Sequence, residues 1–260
     1  MRLAVTTPSE PGPGAESAAR AAALRHALPF APRGGRSLAA VASACGADGL
    51  LVLGADARLW LAADTAGPGR RWSPGMGALR ARRLAGGERT TADGFLSAAQ
   101  LRAGDAVLDC TLGLGADALV AAEAVGEGGR VVGLEASAAL AAWVAEGLAR
   151  LATAAARRVA VVRADHGSHL AACPERSFDV VVFDPMFRHA RAQASGFDAV
   201  RLLADPRPLE AAAIARARRV ARRAVIVKDG TPGWDLARLG LAPLPSARGA
   251  HRLYARLPPA

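Results

Sequence analysis

Residues 107–117 read Val-Leu-Asp-Cys-Thr-Leu-Gly-Leu-Gly-Ala-Asp, and this stretch decides the fold. It opens in a short apolar run that is typical of a buried strand, and an alanine-rich helical sequence follows it. Between the two, Gly113 and Gly115 allow positive φ angles and a close approach of the backbone to a ligand. A strand, a glycine loop and a helix in this order predict the nucleotide-binding turn of a doubly wound, Rossmann-like α/β sheet.

Further apolar runs predict neighbouring strands of the same sheet, and each ends in a charged residue. The residues at the five predicted strand ends are Asp109, Glu135, Asp165, Asp184 and Lys228. Ligands of open α/β sheets bind at the carboxyl ends of the strands, so this edge is the predicted site. Glu135 ends the second strand, where an acid normally accepts hydrogen bonds from ribose hydroxyl groups; capping of the next helix is the alternative.

The charge of the chain bears on its partner. With a net charge of +10 over 260 residues, the protein is typical of those that bind RNA or DNA. A general enrichment in arginine is the alternative explanation of this charge. Lys228 is the single lysine among 33 lysine and arginine residues. This indicates a site that needs a compact ammonium group, although chance retention of a surface lysine remains open.

The composition also indicates the compartment in which the protein works and the chemistry that it can carry out. No apolar run is long enough to span a bilayer, and the first residues lack the apolar core of a signal peptide. The three cysteines show no C-x-x-C spacing and no even framework. Together these features predict a cytoplasmic protein with reduced thiols, no membrane partner and no metal site.

The sequence predicts two domains. Residues 1–68 read as a small α/β unit without a recognisable catalytic motif, to which a substrate-positioning role is assigned, and residues 69–260 form the cofactor-binding domain. A basic helix opens the second domain, and its arginines either contact RNA or form a solvated face. These candidates are Arg80, Arg82 and Arg83. Trp72 beside them is either a base-stacking residue or packed against the linker.

The glycine loop indicates which nucleotide binds. It reads D-x-T-x-G-x-G-x-D, which differs from the dinucleotide fingerprint G-x-G-x-x-G because Asp109 precedes the glycines and no third glycine follows. A carboxylate beside the loop would repel a pyrophosphate, whereas it suits a cationic ligand that carries an amino acid moiety. S-adenosylmethionine is such a ligand. An NAD-binding oxidoreductase is the less favoured alternative.

Residues 184–187 read Asp-Pro-Met-Phe at the end of the fourth predicted strand. This resembles the (Asp/Asn)-Pro-Pro-aromatic motif of methyltransferases that act on exocyclic amino groups of bases. The Asp184 side chain and the Pro185 carbonyl can accept hydrogen bonds from such an amine and favour its pyramidal form, which frees the nitrogen lone pair. Phe187 can stack on a base turned out of its helix or loop. A simple strand-ending turn is the alternative.

Four motifs together resemble the bacterial family of small-subunit ribosomal RNA guanine-N2 methyltransferases. They are V-L-D-C-T-L-G-L-G-A-D-A, D-P-M-F, V-I-V-K and H-R-L-Y, and the similarity covers about residues 73–257. The resemblance implies a class I S-adenosylmethionine-dependent methyltransferase that acts on ribosomal RNA or on the small ribosomal subunit. The chain departs from that family where Arg188 follows D-P-M-F and in its first sixty-odd residues. Methylation of DNA, a protein or a small molecule, and a silent cofactor-binding or RNA-binding module, therefore stay open.

The resemblance and the loop assign the site residues. The candidate catalytic residues are Asp184, Pro185, Phe187 and Lys228, the last of which matches the family's strand-end lysine. The cofactor is expected to contact Asp109, Thr111, Gly113, Gly115, Ala116, Asp117, Glu135, Ala136, Asp165, His166 and Asp184. The candidate RNA contacts, besides the three arginines above, are Arg188, His251 and Arg252.

Overall fold

The computed structural model describes residues 1–63, 67–88, 90–185, 202–246 and 250–260. The chain divides into two compact units, residues 1–73 with 138–152 and residues 74–137 with 153–260. This division differs from the predicted domains, since the boundary lies after residue 73 and the segment 138–152 groups with the N-terminal unit. No helix in the described part of the chain is long and apolar enough to cross a membrane.

The N-terminal unit is a small α/β structure, as the sequence predicts. Its sheet has the order β1-β2-β3-β4, in which β1 and β2 are parallel and the other pairs are antiparallel. The strands are β1 (Leu3–Thr6), β2 (Gly49–Leu53), β3 (Ala57–Leu61) and β4 (Arg70–Arg71), and the first helices are α1 (Ala15–Arg25) and α2 (Leu38–Cys45). Ser37 caps α2, because its hydroxyl accepts a hydrogen bond from the Ala40 N–H at 3.2 Å.

Helix α6 (Ala138–Arg150) belongs to this unit because three of its residues make close contacts there. Trp143 donates its indole N–H to the Ala57 carbonyl at 3.2 Å. Gly147 packs so closely on the Trp72 ring that an added Cβ would lie 2.1 Å from it. The buried Glu146 accepts hydrogen bonds from Arg25 at 2.9 Å and Arg150 at 2.7 Å. The alanine-rich sequence of α6 shows a helix but not which sheet it covers.

The second unit contains a six-stranded sheet of the order β10-β9-β8-β5-β6-β7. Its strands are β5 (Ala106–Asp109), β6 (Arg130–Glu135), β7 (Val159–Arg163), β8 (Phe178–Phe183), β9 (Ala221–Gly230) and β10 (Arg252–Leu257). Neighbouring strands are parallel except β10, which is antiparallel to β9. Strand β5 lies between β6 and β8, so the chain order reverses there, and the doubly wound prediction is confirmed.

Helices connect these strands. They are α3 (Met76–Ala85), α4 (Gly94–Ala99), α5 (Ala116–Val125), α7 (Ala154–Arg157), α8 (His166–Ala172), α9 (Ala211–Val220) and α10 (Trp234–Arg238). The central strands are fully buried; Leu108, Val181 and Val225 have no exposed surface. Burial on both faces explains the continuous apolar runs of the sequence, and it places the polar strand ends at one edge.

Candidate active site

The glycine loop follows β5 as predicted. Its conformation needs glycine at two positions, since Gly113 has φ 52° and Gly115 has φ 78°. Asp109 at the strand end accepts a hydrogen bond from the Thr111 N–H at 3.0 Å. Thr111 in turn accepts one through its hydroxyl from the Asp184 N–H at 2.6 Å. Thr111 therefore joins the carboxyl ends of β5 and β8, a role that the sequence did not show.

A network of ion pairs lies at the same edge. The Lys228 ammonium donates to Asp117 at 2.7 Å and to Asp184 at 2.6 Å. The Arg80 guanidinium donates to the other oxygen of Asp117 at 2.5 Å. Arg80 also pairs with both oxygens of Asp93, at 2.7 and 2.9 Å. The solitary lysine thus bridges the helix after the glycine loop and the D-P-M-F strand end.

The network affects the protonation of the acids at this edge. Burial raises the pKa of Asp109 to about 7, and the charges of Asp117 and Asp184 add to this effect. Burial also acts on Asp117, but there Lys228 and Arg80 outweigh it and lower the pKa. Burial raises the pKa of Asp184, against which the Lys228 charge acts. Desolvation of Lys228 is outweighed by Asp184 and Asp117, so its pKa is raised and the ammonium stays charged.

This edge fits a cationic ligand. Asp109, Asp117 and Asp184 are close enough to perturb one another, and Lys228 and Arg80 are the cations paired with them. Arg80 is shared with Asp93, so the negative groups exceed the positive ones. The ammonium and sulfonium charges of S-adenosylmethionine would offset that excess, whereas the phosphates of NAD would add to it.

Glu135 ends β6 beside the glycine loop. Its carboxylate accepts a hydrogen bond from the Ser137 N–H at 2.9 Å, and burial raises its pKa. The loop is fixed to β6 by the bond from the Leu112 N–H to the Leu134 carbonyl at 2.9 Å. At Gly133 an added Cβ would lie 2.5 Å from the Leu112 Cδ1, so a larger residue there would have to displace the Leu112 side chain. These contacts hold Glu135 beside the glycine loop, and its bond to a ribose stays a prediction.

Asp165 and His166 follow β7 at the same edge. Asp165 caps helix α8, since its carboxylate accepts from the Ser168 N–H at 2.9 Å. Its other oxygen pairs with Arg207 at 2.7 Å. The Ser168 and Arg207 bonds lower the pKa of Asp165. His166 meets the Phe183 ring edge-on at 5.7 Å between centroids, and burial lowers its pKa, which favours a neutral imidazole.

The predicted RNA contacts divide into different environments. Arg82 and Arg83 are exposed on α3, and His251 and Arg252 are exposed at the start of β10. Arg80 differs, because its guanidinium is held in the ion-pair network described above; its contact with RNA stays a prediction. Trp72 is 7% exposed, so it is packed rather than open for stacking, but it packs on Gly147 of α6 and not against the linker. Phe187 and Arg188 lie outside the described residues.

Tyr254 is a site residue that the sequence analysis did not assign. It lies directly opposite Lys228 in the β9–β10 pair. Burial raises its pKa to about 12, although the Lys228 charge acts in the other direction. The ring also packs 3.3 Å from the position of a Cβ added at Gly94. The sequence gives two hints, since Tyr254 is the single tyrosine of the chain and it ends the H-R-L-Y motif.

Comparisons with known proteins show the family and the fold of the chain. A family model described as "Putative SAM-dependent methyltransferase" matches residues 75–238. The uncharacterized protein YpiP of Bacillus subtilis is 41% identical over 162 residues, which are 60% of this chain and 62% of that protein. The chain thus spans less than two thirds of that relative's length. The crystal structure of the SAM-dependent methyltransferase NGO1261 from Neisseria gonorrhoeae superposes with a TM-score of 0.62 at 20% identity, over 98% of this chain and 96% of that one. That structure shows the same fold.

Proposed function

Because the chain belongs to the family of S-adenosylmethionine-dependent methyltransferases, we propose that it methylates the exocyclic amino group of a guanine in ribosomal RNA. The observation that carries this proposal is the position of Asp184. It begins the D-P-M-F motif, ends β8 at the cofactor edge, and is held both by Thr111 and by Lys228. Its side chain is 29% exposed, which leaves it accessible to a substrate.

The residues around the glycine loop suit the cofactor. Glu135 would accept from the ribose, and Asp165 with His166 would lie at the adenine. The acidic group formed by Asp109 and Asp117 would face the positive charges of the methionine part. When bound, S-adenosylmethionine supplies an electrophilic methyl group, so the protein has to supply position and electrostatics.

Asp184 would act on the guanine amine. An aryl amine is a weak nucleophile because its lone pair is conjugated with the ring. Among the described residues, Asp184 accepts the hydrogen bond from Lys228 through Oδ2, which leaves Oδ1 to accept a hydrogen bond from the amine. The Pro185 carbonyl would accept the second. Two acceptors of this kind favour a pyramidal nitrogen, whose lone pair is then free to attack the methyl carbon.

The choice of RNA rests on charge and on the motif. The net charge of +10 favours a polyanion, and the exposed basic residues of α3 and β10 lie in the unit that holds the site. The D-P-M-F motif resembles the (Asp/Asn)-Pro-Pro-aromatic motif of enzymes that act on base amino groups. Such enzymes take a base that is unpaired or turned out of its stack.

The proposal is tested by transfer of a labelled methyl group from S-adenosylmethionine. Small-subunit ribosomal RNA, DNA and total protein are offered separately, and labelled RNA is digested to nucleosides. We expect label in RNA as N2-methylguanosine. Asp184→Ala should lower the rate by on the order of 100-fold or more, as losses of electrostatic transition-state contacts do, while the exposed Glu127→Gln control keeps wild-type rates. Label that enters only DNA or protein would overturn the RNA assignment.

A further inference from the structure

The ion-pair network at the active edge is a linear series in which the sign of the charge alternates. Its order is Asp93, Arg80, Asp117, Lys228 and Asp184, and neighbouring members are hydrogen-bonded at 2.5–2.9 Å. The members come from the second unit alone, so one compact unit holds the whole series. The proposed function uses the end that contains Asp184, which leaves the task of Arg80 and Asp93 in the reaction to be explained.

Arg80 fixes the orientation of Asp117. This aspartate lies in the first turn of α5, directly after the glycine loop, and it is 6% exposed. Its Oδ1 accepts from Arg80 at 2.5 Å, and its Oδ2 accepts from Lys228 at 2.7 Å. Each oxygen is held by a different cation, so the carboxylate cannot rotate without breaking a charge-assisted bond. The position of Asp117 therefore determines where the Lys228 ammonium lies, and that ammonium reaches Asp184 at 2.6 Å.

Asp93 fixes Arg80 in turn. Its two oxygens accept from Nε and Nη2 of Arg80 at 2.7 and 2.9 Å, a bidentate pair that holds the plane of the guanidinium. Asp93 is itself held as the cap of α4, because its carboxylate accepts from the Leu96 N–H at 3.1 Å. Burial opposes the charge of Arg80, but Asp93 and Asp117 outweigh it and raise the pKa, so the guanidinium stays charged.

Tyr254 lies over this network. It faces Lys228 in the β9–β10 register, and its ring packs 3.3 Å from the position of a Cβ added at Gly94, the residue after Asp93. Burial is the main cause of its raised pKa, and the charges of the network from Arg80 to Asp184 also act on it. The ring therefore reduces the access of water to the network, which strengthens the hydrogen bonds beneath it.

We propose that Arg80 and Asp93 are positioning residues for methyl transfer, which hold Asp184 in its ionised, accepting state through Asp117 and Lys228. The inference rests on the proposed function for the task of Asp184, and it adds the residues that prepare this acceptor. Electrostatic catalysis depends on groups that are fixed before the reaction begins. A guanidinium suits this task because its planar fork pairs with two carboxylates at once.

Several elements contribute charges that act on Asp184. The groups are Asp109 on β5, Asp117 on α5, Lys228 on β9, and Arg252 and Tyr254 on β10. Arg80 is one of the two cations paired with Asp117 in the described part of the chain, so its removal leaves the Asp117 charge to act more strongly on Asp184. Removal of the Asp93 charge has the opposite effect, because the Arg80 charge then serves Asp117 alone. The two substitutions should therefore move the pKa of Asp184 in opposite directions.

Carbon-13 NMR of the Asp184 carboxyl carbon, assigned with Asp184→Asn, tests this without any substrate. We expect a higher titration midpoint in Arg80→Met and a lower one in Asp93→Asn, which keeps an oxygen for the cap of α4. Arg80→Lys keeps the charge, so its midpoint should lie nearer to wild type than that of Arg80→Met. The Tm of each variant shows whether it is folded; if Arg80→Met is not, Asp93→Asn and Arg80→Lys carry the test. The same midpoint in every folded variant would overturn the proposal.

Kinetics distinguish positioning from a contact with RNA. Arg80→Met should lower kcat on the order of 100-fold, as a misplaced catalytic group does, and leave KM for RNA near wild type. Arg83→Gln is the matched contrast, since Arg83 is exposed on the same helix. It should raise KM for RNA and leave the pH profile of kcat unchanged. A raised KM with a wild-type kcat in Arg80→Met would refute the positioning role and assign Arg80 to RNA binding.

The two measurements separate this inference from the proposed function. If methyl transfer goes to protein alone while the midpoint of Asp184 still moves with Arg80 and Asp93, the guanine target falls and the positioning role stands. If methyl transfer goes to RNA while neither the midpoint nor kcat depends on Arg80, the target stands and the positioning role falls.

Discussion

Lys228 holds two carboxylates from distant parts of the chain, and its charge opposes the effect of burial on Asp184. Replacing it with methionine removes that charge and should raise the pKa of Asp184 further. Since the carboxylate form is the hydrogen-bond acceptor, the acid limb of kcat should move to higher pH, and the maximal rate should fall at least about 100-fold. The measurement is the pH profile of methyl transfer. Lys228→Arg should keep the acid limb near its wild-type position, because the positive charge remains. It should recover only part of the rate, because a planar guanidinium differs in shape from an ammonium group.

An acid limb that stays in place in Lys228→Met would show that the lysine does not control Asp184. A lost rate with an unshifted limb would then point to a purely structural role for this residue.

Asp109 makes the stability of the protein depend on pH. Its pKa is about 7 in the folded chain, above the ordinary value of 3.8, so the stability that it allows at low pH is lost as the pH rises from about 4 through 7. Asp109→Asn keeps an oxygen for the Thr111 N–H and has no charge to bury. We therefore expect a higher Tm than wild type at pH 8 and a smaller difference at pH 5. Equal differences at the two pH values would contradict the buried charge.

At this scale the sequence predicted the residue types but not their partners. Lys228 was singled out by its rarity, and Asp109 and Asp184 by their positions at strand ends. Arg80 was assigned to RNA because a basic helix shows no partner in its own sequence. Its partners Asp93 and Asp117 lie 13 and 37 residues away. Pairings over such distances depend on the packing of helices, which local pattern does not specify.

At the scale of elements, α3 packs against the first turn of α5 through Gly77. An added Cβ at Gly77 would lie 2.6 Å from the Ala116 Cα and 2.7 Å from its carbonyl oxygen, both of them backbone atoms. Helix propensity alone predicts that Gly77→Ala stabilises α3 by about 0.5–1 kcal/mol. Packing predicts the opposite sign, a decrease of about 1–3 kcal/mol in the free energy of unfolding. We also expect weaker binding of S-adenosylmethionine, because the glycine loop before α5 would shift.

Urea unfolding with Gly128→Ala as the matched control decides between the two signs. A Cβ at Gly128 would meet its nearest neighbour at 3.7 Å, an ordinary contact. If Gly77→Ala is as stable as this control, the close contact between α3 and α5 is not needed.

Helices and strands were predicted better than the contacts of single residues. The central strands were predicted because a buried parallel strand reads as a continuous apolar run. The placement of α6 was not, because an alanine-rich helix has little pattern to show which sheet it covers. The packing of Trp72 depended on Gly147, 75 positions further along the chain, and local sequence could not show that contact either.

At the scale of the whole molecule, the net charge of +10 is larger than the charge available to bind a polyanion, because some arginines are engaged within the fold. Arg219 donates to the carbonyls of Leu170 and Cys173, at the end of α8, at 2.8 and 3.0 Å. Arg218 donates to the carbonyl of Pro258 at 2.9 Å. Such arginines satisfy backbone groups within the fold. These two arginines therefore serve the fold, and RNA binding by the exposed arginines of α3 stays a prediction.

The salt dependence of RNA binding separates these two groups of arginines. A contact with a phosphate of single-stranded RNA contributes about −0.7 to the slope of log K against log salt concentration. The double variant Arg82→Gln, Arg83→Gln should therefore reduce the slope by about 1.4 without lowering Tm. The double variant Arg218→Gln, Arg219→Gln should leave the slope unchanged and lower Tm. The reverse pattern would place the RNA on α9.

The central claim, that Asp184 directs methylation of a guanine amine in ribosomal RNA, is tested most directly in cells. Small-subunit ribosomal RNA from a strain that lacks this protein is mapped for N2-methylguanosine by mass spectrometry. We predict that one guanine loses its methyl group, that the wild-type gene restores it, and that Asp184→Ala expressed at the same level does not. A methylation pattern identical to that of the parent strain would contradict the claim.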